Sequence, residues 1–207
     1  MALTKAPLFG LDASGTLGGS IVFGKWKGRT YVRRHAVPSN PKSGLQVGMR
    51  SVFKFISQDY ANLSAAIVAR WKAIADVELI TPLNAQMKVA QQFARQNKGW
   101  VKDPAETLET TIDPPTGLTA VAQPKSIALS WTRPVANQGD YSVAVYQSLT
   151  GVFTRDISKL VLVQEVTDVN CVITGLTTGV QYFFEVCETG GGGLLGTASG
   201  EADATPT

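Results

Sequence analysis

The sequence predicts a multidomain α+β protein. Its N-terminal half is expected to hold a glycine-rich β-hairpin or arm and two or three helices, and its C-terminal half an antiparallel β-sandwich. The distribution of charge indicates that the chain has two parts. Residues 1–103 hold 15 Lys and Arg and 5 Asp and Glu, whereas residues 104–207 hold 4 Lys and Arg and 11 Asp and Glu. The hydrophobic pattern also changes from helical to alternating spacing after Pro115. One compact domain rarely segregates charge in this way, so we expect a boundary near residue 104.

The composition of the 207 residues excludes several classes of protein. Hydrophobic residues make up 44% and charged residues 17%, which is typical of a globular chain. No apolar run approaches the ~18 residues of a membrane span. The N-terminus has no apolar core of signal-peptide length, so we expect folding in a cytoplasm. Two cysteines and one histidine are a poor set of metal ligands, and we expect neither a metal nor a cofactor.

The glycine-rich N-terminal segment predicts a β-hairpin. Residues 21–26 and 30–34 read as strands, and residues 27–29 as the turn, in which Gly28 adopts a positive φ. Gly15–Gly19 lacks the spacing and the Lys-Ser/Thr of a phosphate-binding loop. A two-stranded ribbon alone is marginal in water, so we expect a neighbouring subunit or a partner to complete it. The candidate partner-binding residues on this ribbon are Lys25, Trp26, Lys27, Arg29, Tyr31, Arg33 and Arg34.

Helical periodicity follows the hairpin. The pattern runs from Gly44 to Ala75 and again from Thr81 to about Lys98, where Gly99 stops it. The aromatic and aliphatic residues of these helices, Phe53 among them, are expected to form the core. The expected N-caps are Ser39 or Ser43 for the first helix, then Ser64 and Thr81.

The C-terminal half predicts a linker and then a sandwich. Residues 104–113 are acidic, rich in threonine and flanked by prolines, which stiffen a linker. Residues 114–207 contain short alternating strands separated by turn signals at intervals near ten residues, a pattern typical of an antiparallel sandwich. Gly190–Gly193 lies where the last hairpin should turn, and we expect a flexible loop there.

A tyrosine corner marks the sandwich more specifically. Leu176, a turn containing Gly179 and then Tyr182 predict a tyrosine hydroxyl that bonds to nearby backbone. With Pro114–Leu118, Ser130-Trp131 and Ala204–Pro206, these residues resemble the fibronectin type III domain. Glu188 departs from that family, which usually has a small apolar residue there, and this puts the end of the strand in doubt.

The two cysteines fall at different phases of their strands. Cys171 is expected to face the core of the sandwich, together with Ile173, whereas Cys187 is out of phase with Tyr182 and is expected to face outward. Two thiols that point into different environments cannot meet without backbone movement. We therefore expect both cysteines to be free.

The N-terminal half carries a second resemblance. Gly15–Gly19, Tyr31–Arg33 and Val37–Ser43, with Gln46 and Arg50, are similar to the N-terminal segment of a family of small bacteriophage proteins encoded among virion structural genes. The resemblance covers about residues 15–75, implies a location in a virion assembled in the host cytoplasm, and carries over no catalytic residue.

These observations favour a non-enzymatic protein. An enzyme needs converging titratable groups or a metal, but His35 lies among basic residues and Asp12, Asp59 and Asp76 are scattered. We expect a phage virion structural protein, a capsid decoration or cement protein that docks through its basic half and projects the acidic sandwich. The alternatives are a head–tail collar or tail structural protein, and a nucleic-acid-binding protein that uses its basic half on phosphates. The expected partners are a major capsid or connector/tail protein and further copies of the chain, with a host-surface ligand left open for the sandwich and no membrane.

Overall fold

The computed structural model separates into two compact units, Met1–Pro41 and Lys42–Thr207. This division does not coincide with the predicted domains 1–103, 104–113 and 114–207, because the helices belong to the same compact unit as the sandwich. Whether the predicted domains fold independently stays a prediction. The residues that the structure describes are 2–3, 14–26, 29–37, 39–40, 42–106, 111–134 and 140–207.

The first unit is a four-stranded antiparallel sheet. Its strands are β1 (Ala2–Leu3), β2 (Gly15–Leu17), β3 (Ile21–Trp26) and β4 (Arg29–Arg34), in the order β1-β4-β3-β2. The predicted hairpin is confirmed as β3 and β4, while Lys27 and Gly28 of its turn lie outside the described residues. We expected a neighbouring subunit or a partner to complete this ribbon, whereas in the structure β1 and β2 of the same chain flank it on both sides.

Three helices open the second unit. They are α1 (Gly44–Asp59), α2 (Ala65–Glu78) and α3 (Pro82–Arg95), with one turn of 3-10 helix at Tyr60–Asn62. α3 ends three residues before the predicted Lys98, because Gln96 already leaves the helical conformation and Asn97 has a φ of 57°.

Side-chain caps start two of the helices as predicted. The Ser64 hydroxyl accepts a hydrogen bond from the Ile67 N–H, and the Thr81 hydroxyl accepts one from the Asn84 N–H. Ser43 precedes α1 but makes no side-chain cap bond.

The predicted sandwich is confirmed. One sheet has the order β5-β6-β9, and the other has the order β11-β10-β7-β8, with β12 also paired to β10. The strands are β5 (Thr116–Gln123), β6 (Ser126–Thr132), β7 (Asp140–Ser148), β8 (Leu160–Glu165), β9 (Asn170–Thr174), β10 (Tyr182–Gly190), β11 (Leu195–Ala198) and β12 (Ala202–Ala204).

The predicted core of the sandwich lies between its two sheets. Ile173 is buried there and Cys171 packs against it, both as expected. The tyrosine corner is confirmed as well, because the Thr177 N–H donates a hydrogen bond of 3.1 Å to the Tyr182 hydroxyl. The buried residues of this core are Ile127, Leu129, Trp131, Val143, Val145, Ile173, Tyr182, Phe184 and Val186.

A second core joins the helices to the outer face of the larger sheet. Val52, Phe55 and Ile56 lie on one face of α1 at helical spacing and are buried against this sheet. Phe53 was expected in the core but is 52% exposed, because it lies on the opposite side of the same helix. The sandwich contributes Tyr141, Ala144, Tyr146, Leu160, Val163 and Cys187 to this core.

The segment that follows α3 completes the second core. Trp100 is 1% exposed, and its indole N–H donates a hydrogen bond of 2.6 Å to the Ser142 hydroxyl.

Part of the predicted linker is also packed, since Ile112 is 4% exposed and its carbonyl accepts a hydrogen bond from the Thr197 N–H. Residues 107–110 lie outside the described residues. The second unit therefore has three layers, with the helices on one sheet and the other sheet beneath it.

Candidate functional sites

The predicted partner-binding residues lie on β3 and β4. Lys25 pairs with Thr30, Tyr31 with Gly24, Arg33 with Val22 and Arg34 with Ile21 in the register of these strands. Lys27 lies outside the described residues, and only the backbone of Trp26 and Arg29 is described, paired one to the other.

The described candidate side chains divide between the two faces of the sheet. Successive side chains of a strand point to opposite faces, so Tyr31 and Arg33 share one face, and Lys25 and Arg34 share the other. The Tyr31 ring lies over Gly24, where an added Cβ would be 2.6 Å from the ring carbon Cζ. One continuous basic patch is therefore absent from the described part of this sheet.

An apolar surface accompanies Lys25 and Arg34, and the sequence reasoning missed it. The register places Leu17 opposite Ile21 and Phe23 opposite Val32, on the same face as these two cations. Leu17 is 57% and Ile21 39% exposed, while Phe23 and Val32 are partly buried. We call these four residues the apolar sheet face. The sequence does show Ile21 and Phe23 at alternate positions of one strand. Leu17 joins their face only through β2, a strand that the sequence did not predict.

A half-open pocket of about 370 Å³ lies in the second unit. It is bounded by α2, α3, the segment after α3 and the turn between β10 and β11. The floor is Trp71, which is fully buried and whose indole N–H donates a hydrogen bond of 2.9 Å to the Lys102 carbonyl. The lining residues are Trp71, Ile74, Val89, Phe93, Val101, Pro104, Glu106 and Gly192.

Glu106 is the one charged residue in this lining. Burial, and next the neighbouring Asp103 carboxylate, raise the pKa of Glu106, while Lys102 opposes this shift. Asp103 itself forms a salt bridge with Arg70. In the part of the chain that the structure describes, Glu106 forms no salt bridge of its own.

The four-glycine turn packs beside this pocket. Gly190–Gly193 does form the turn between β10 and β11, as predicted, but it is buried rather than a flexible loop. Gly193 has a φ of +94°, and a Cβ there would be 2.7 Å from Cε1 of Phe93. The Lys102 N–H also donates a hydrogen bond of 2.8 Å to the Gly191 carbonyl. The glycines therefore allow α3 and the following segment to approach the sheet closely.

Glu188 does not interrupt its strand, although a charged residue at this position of the family pattern suggested that the strand would end there. β10 continues to Gly190, and the Glu188 side chain is fully buried. One carboxylate oxygen, Oε1, lies 3.6 Å from Nε of Arg133, which is partly exposed. A charged pair therefore occupies the position at which an apolar residue was expected.

Histidine, cysteine and acidic side chains are the remaining candidates for chemistry in the described residues. None of them form a group of three or more His, Cys, Asp or Glu that could hold a metal ion. His35 is exposed. Cys171 and Cys187 are both free, as predicted, and burial raises the pKa of each thiol to about 12. Within the ranges described, the helices are too short or too polar to cross a membrane.

Comparison with known proteins finds a family match in the C-terminal part of the chain. Residues 113–202 match the family model of the fibronectin type III domain. No curated protein matches the chain. Among solved structures, an Fn3-like protein from Clostridium thermocellum is 25% identical, with 47% of this chain and 96% of that chain covered and a TM-score of 0.39.

Two enzymes of known structure are also similar to part of this chain. A β-1,2-glucanase from Parabacteroides distasonis is 17% identical, with 50% of this chain and 14% of that chain covered and a TM-score of 0.43. A pectate lyase from Pectobacterium carotovorum is 16% identical, with 44% and 27% covered and a TM-score of 0.39. The chain thus spans only a small part of either enzyme, and their activities are not carried over to it.

Proposed function

We propose that the chain is a non-enzymatic structural protein that docks on a larger assembly through its N-terminal sheet and displays its fibronectin type III domain. The observation that supports this most is the apolar sheet face, whose Leu17 and Ile21 remain 57% and 39% exposed. Apolar surface that a small sheet leaves in water is stabilised when a partner covers it.

Charge indicates the kind of partner. Residues 1–41 hold six Lys and Arg against one Asp. Lys25 and Arg34 are exposed and lie on the same face as the apolar side chains. A surface that combines cations with an apolar centre suits an acidic protein surface with an apolar patch, since charges steer the encounter and buried apolar contacts supply affinity.

The finer proposal is a bacteriophage virion, with a position as a capsid decoration or cement protein. A position in the head–tail collar or the tail is the alternative. The support is the resemblance of residues 15–75 to small phage proteins encoded among virion structural genes, together with the layout of a basic docking segment followed by an acidic sandwich.

Cosedimentation with purified particles that lack the protein would test docking. We expect Lys25→Glu with Arg34→Glu, two exposed positions on the apolar sheet face, to weaken binding about tenfold at low salt, because each exposed charge contributes up to about 1 kcal/mol and reversal adds repulsion. The matched control is Lys54→Glu with Arg95→Glu, which makes the same change in net charge at exposed positions of α1 and α3. Equal loss in the two double variants would mean that only net charge matters and would overturn docking through this sheet.

Electron cryo-microscopy of the particle would test the position. Density over the capsid lattice supports decoration, and density at one vertex or along the tail supports the collar or tail alternative. Absence from the particle would refute the virion proposal. If the chain then bound DNA with an affinity that fell steeply with salt, the nucleic-acid alternative would replace it.

A further inference from the structure

The pocket floored by Trp71 lies in the unit Lys42–Thr207 and is independent of the proposed docking sheet. Its volume of about 370 Å³ falls within the range of roughly 300–1,000 Å³ that small-molecule sites occupy. Its walls are formed by Trp71, Phe93 and aliphatic side chains, and they meet a single carboxylate, that of Glu106. An apolar body with one charged contact is the usual make-up of a specific ligand site.

We propose that this pocket binds a small protonated amine with an aromatic or aliphatic body. The body lies against the partly exposed side chains of Ile74, Val89 and Phe93, above the buried Trp71, and the ammonium lies beside the Glu106 carboxylate. This is a binding role for the helical layer, distinct from docking by the N-terminal sheet.

The charges around the pocket favour a cation over an anion. Asp103 is already paired with Arg70 outside the lining, which leaves Glu106 as the carboxylate that faces the pocket. Lys102 is not among the lining residues, and its ammonium lies 5.3 Å from the centroid of the Tyr141 ring, although its charge also acts on Glu106. An anionic ligand would meet Glu106 with like charge, whereas an ammonium gains a charge-assisted hydrogen bond.

The aromatic wall suits the apolar body of the ligand. The Lys98 ammonium already lies 5.4 Å from the centroid of the Phe93 ring. Because two ammonium groups repel each other, the ligand places its ammonium at Glu106 and its apolar body against Phe93.

The rigidity of the surroundings supports a preformed site. Trp71 is held by its hydrogen bond to the Lys102 carbonyl, and Gly192 forms a bridge with Val101. Phe93 is held against Gly193, where no side chain could fit without displacing the ring. Little ordering is then needed when a ligand enters, which reduces the cost of binding.

An NMR titration of the full chain would test the proposal. The probes are 2-phenylethylamine, its neutral analogue 2-phenylethanol and the anion 3-phenylpropanoate. The readout is the indole N–H resonance of Trp71, assigned with Trp71→Phe. We expect the amine to bind about three- to fivefold more tightly than the alcohol, since a partly exposed ion pair contributes up to about 1 kcal/mol. The anion should bind most weakly.

Two variants separate the ion pair from the apolar contacts. Glu106→Gln should abolish the preference for the amine and leave binding of the alcohol unchanged, whereas Val89→Phe should reduce the binding of both probes by filling the pocket. Glu78→Gln is the control, because Glu78 lies on the same helical layer but pairs with Lys88 outside the lining. The indole resonances of Trp100 and Trp131 report whether each variant is folded.

Three results would overturn the proposal. The first is a Trp71 resonance that does not move with the amine up to its solubility limit. The second is a preference for the amine that survives in Glu106→Gln. The third is unchanged binding in a folded Val89→Phe variant. None of these results bears on particle docking, so a failure here is distinguishable from a failure of the proposed function.

Discussion

Phe55→Ala should destabilise the sandwich as well as the helices, because Phe55 belongs to the core that joins them. The side chain is 4% exposed, and its ring centroid lies 5.2 Å from that of Tyr141 on β7, with the planes at 63°. If the helices are an integral layer of this unit, loss of the ring must lower the stability of both parts together.

The expected loss is about 3–5 kcal/mol. Full burial of a phenylalanine side chain contributes about 1.5–3 kcal/mol by transfer from water. An edge-to-face aromatic pair of the kind made with Tyr141 adds about 0.5–1.5 kcal/mol. The cavity that remains between α1 and the sheet accounts for the rest, since close-packed neighbours relax only in part.

Urea unfolding followed by tryptophan fluorescence would measure this loss. Trp100 reports on the helix–sheet core and Trp131 on the core between the sheets. With a slope of about 2 kcal/mol per M, a loss of about 4 kcal/mol lowers the midpoint by about 2 M. We expect one transition that shifts as a whole.

Phe53→Ala is the matched control. Phe53 lies on the same helix but is 52% exposed, so its removal should cost less than about 0.5 kcal/mol. Equal losses in the two variants would refute the assignment of Phe55 to a shared core. Two separate transitions, with only the first sensitive to Phe55→Ala, would instead support independent domains with a boundary near residue 104.

Further predictions concern the glycine turn and the thiols. Gly193→Ala should lower the free energy of unfolding by about 1–2 kcal/mol because of its positive φ, and further because the new Cβ would clash with Phe93. Gly175 also has a positive φ but open space around it, so Gly175→Ala should cost only about 1–2 kcal/mol. Thermal denaturation measures the difference, and equal losses would contradict close packing at the turn. Both cysteines should resist Ellman's reagent at pH 8 in the folded protein, because burial raises each thiol pKa to about 12. Cys171 should react before Cys187, because Cys187 is fully buried. Both thiols should react in the protein unfolded by urea. Rapid labelling of Cys187 in the folded protein would contradict its burial.

Local signals in the sequence predicted local structure well. Ser64 and Thr81 each stand before an apolar helical pattern, and each caps its helix through its own hydroxyl. Tyr182 forms the tyrosine corner because its partner, the Thr177 N–H, lies only five residues away. Such features depend on neighbours in the chain, so the order of residue types is enough to predict them.

Features that depend on distant partners were not predictable in this way. The buried face of α1 is chosen by the sheet it meets, which is why Phe55 is buried and Phe53 is exposed. The charge boundary near residue 104 counts charged residues and does not indicate which apolar side chains pack together, so whether it separates two domains stays a prediction. The glycines of the β10–β11 turn looked like a flexible loop because composition alone does not distinguish flexibility from close approach.

The candidate sites show the same limit. Strand alternation was available in the sequence and determines which face of the N-terminal sheet Lys25, Tyr31, Arg33 and Arg34 occupy. The apolar sheet face required β2, a strand of three residues with little periodicity of its own. The pocket floored by Trp71 could not be predicted, because Trp71 and Glu106 line it together only after the segment beyond α3 folds back.

The helix–sheet core also determines the order of events during synthesis. The Ser51 hydroxyl accepts a hydrogen bond from the N–H of Val163, 112 residues later in the chain. At about 5–20 residues per second, the apolar face of α1 leaves the ribosome roughly 6–22 s before the strand that covers it. During that interval Val52, Phe55 and Ile56 have no sheet to pack against. The nascent chain therefore exposes for some seconds an apolar helix face that the folded protein buries.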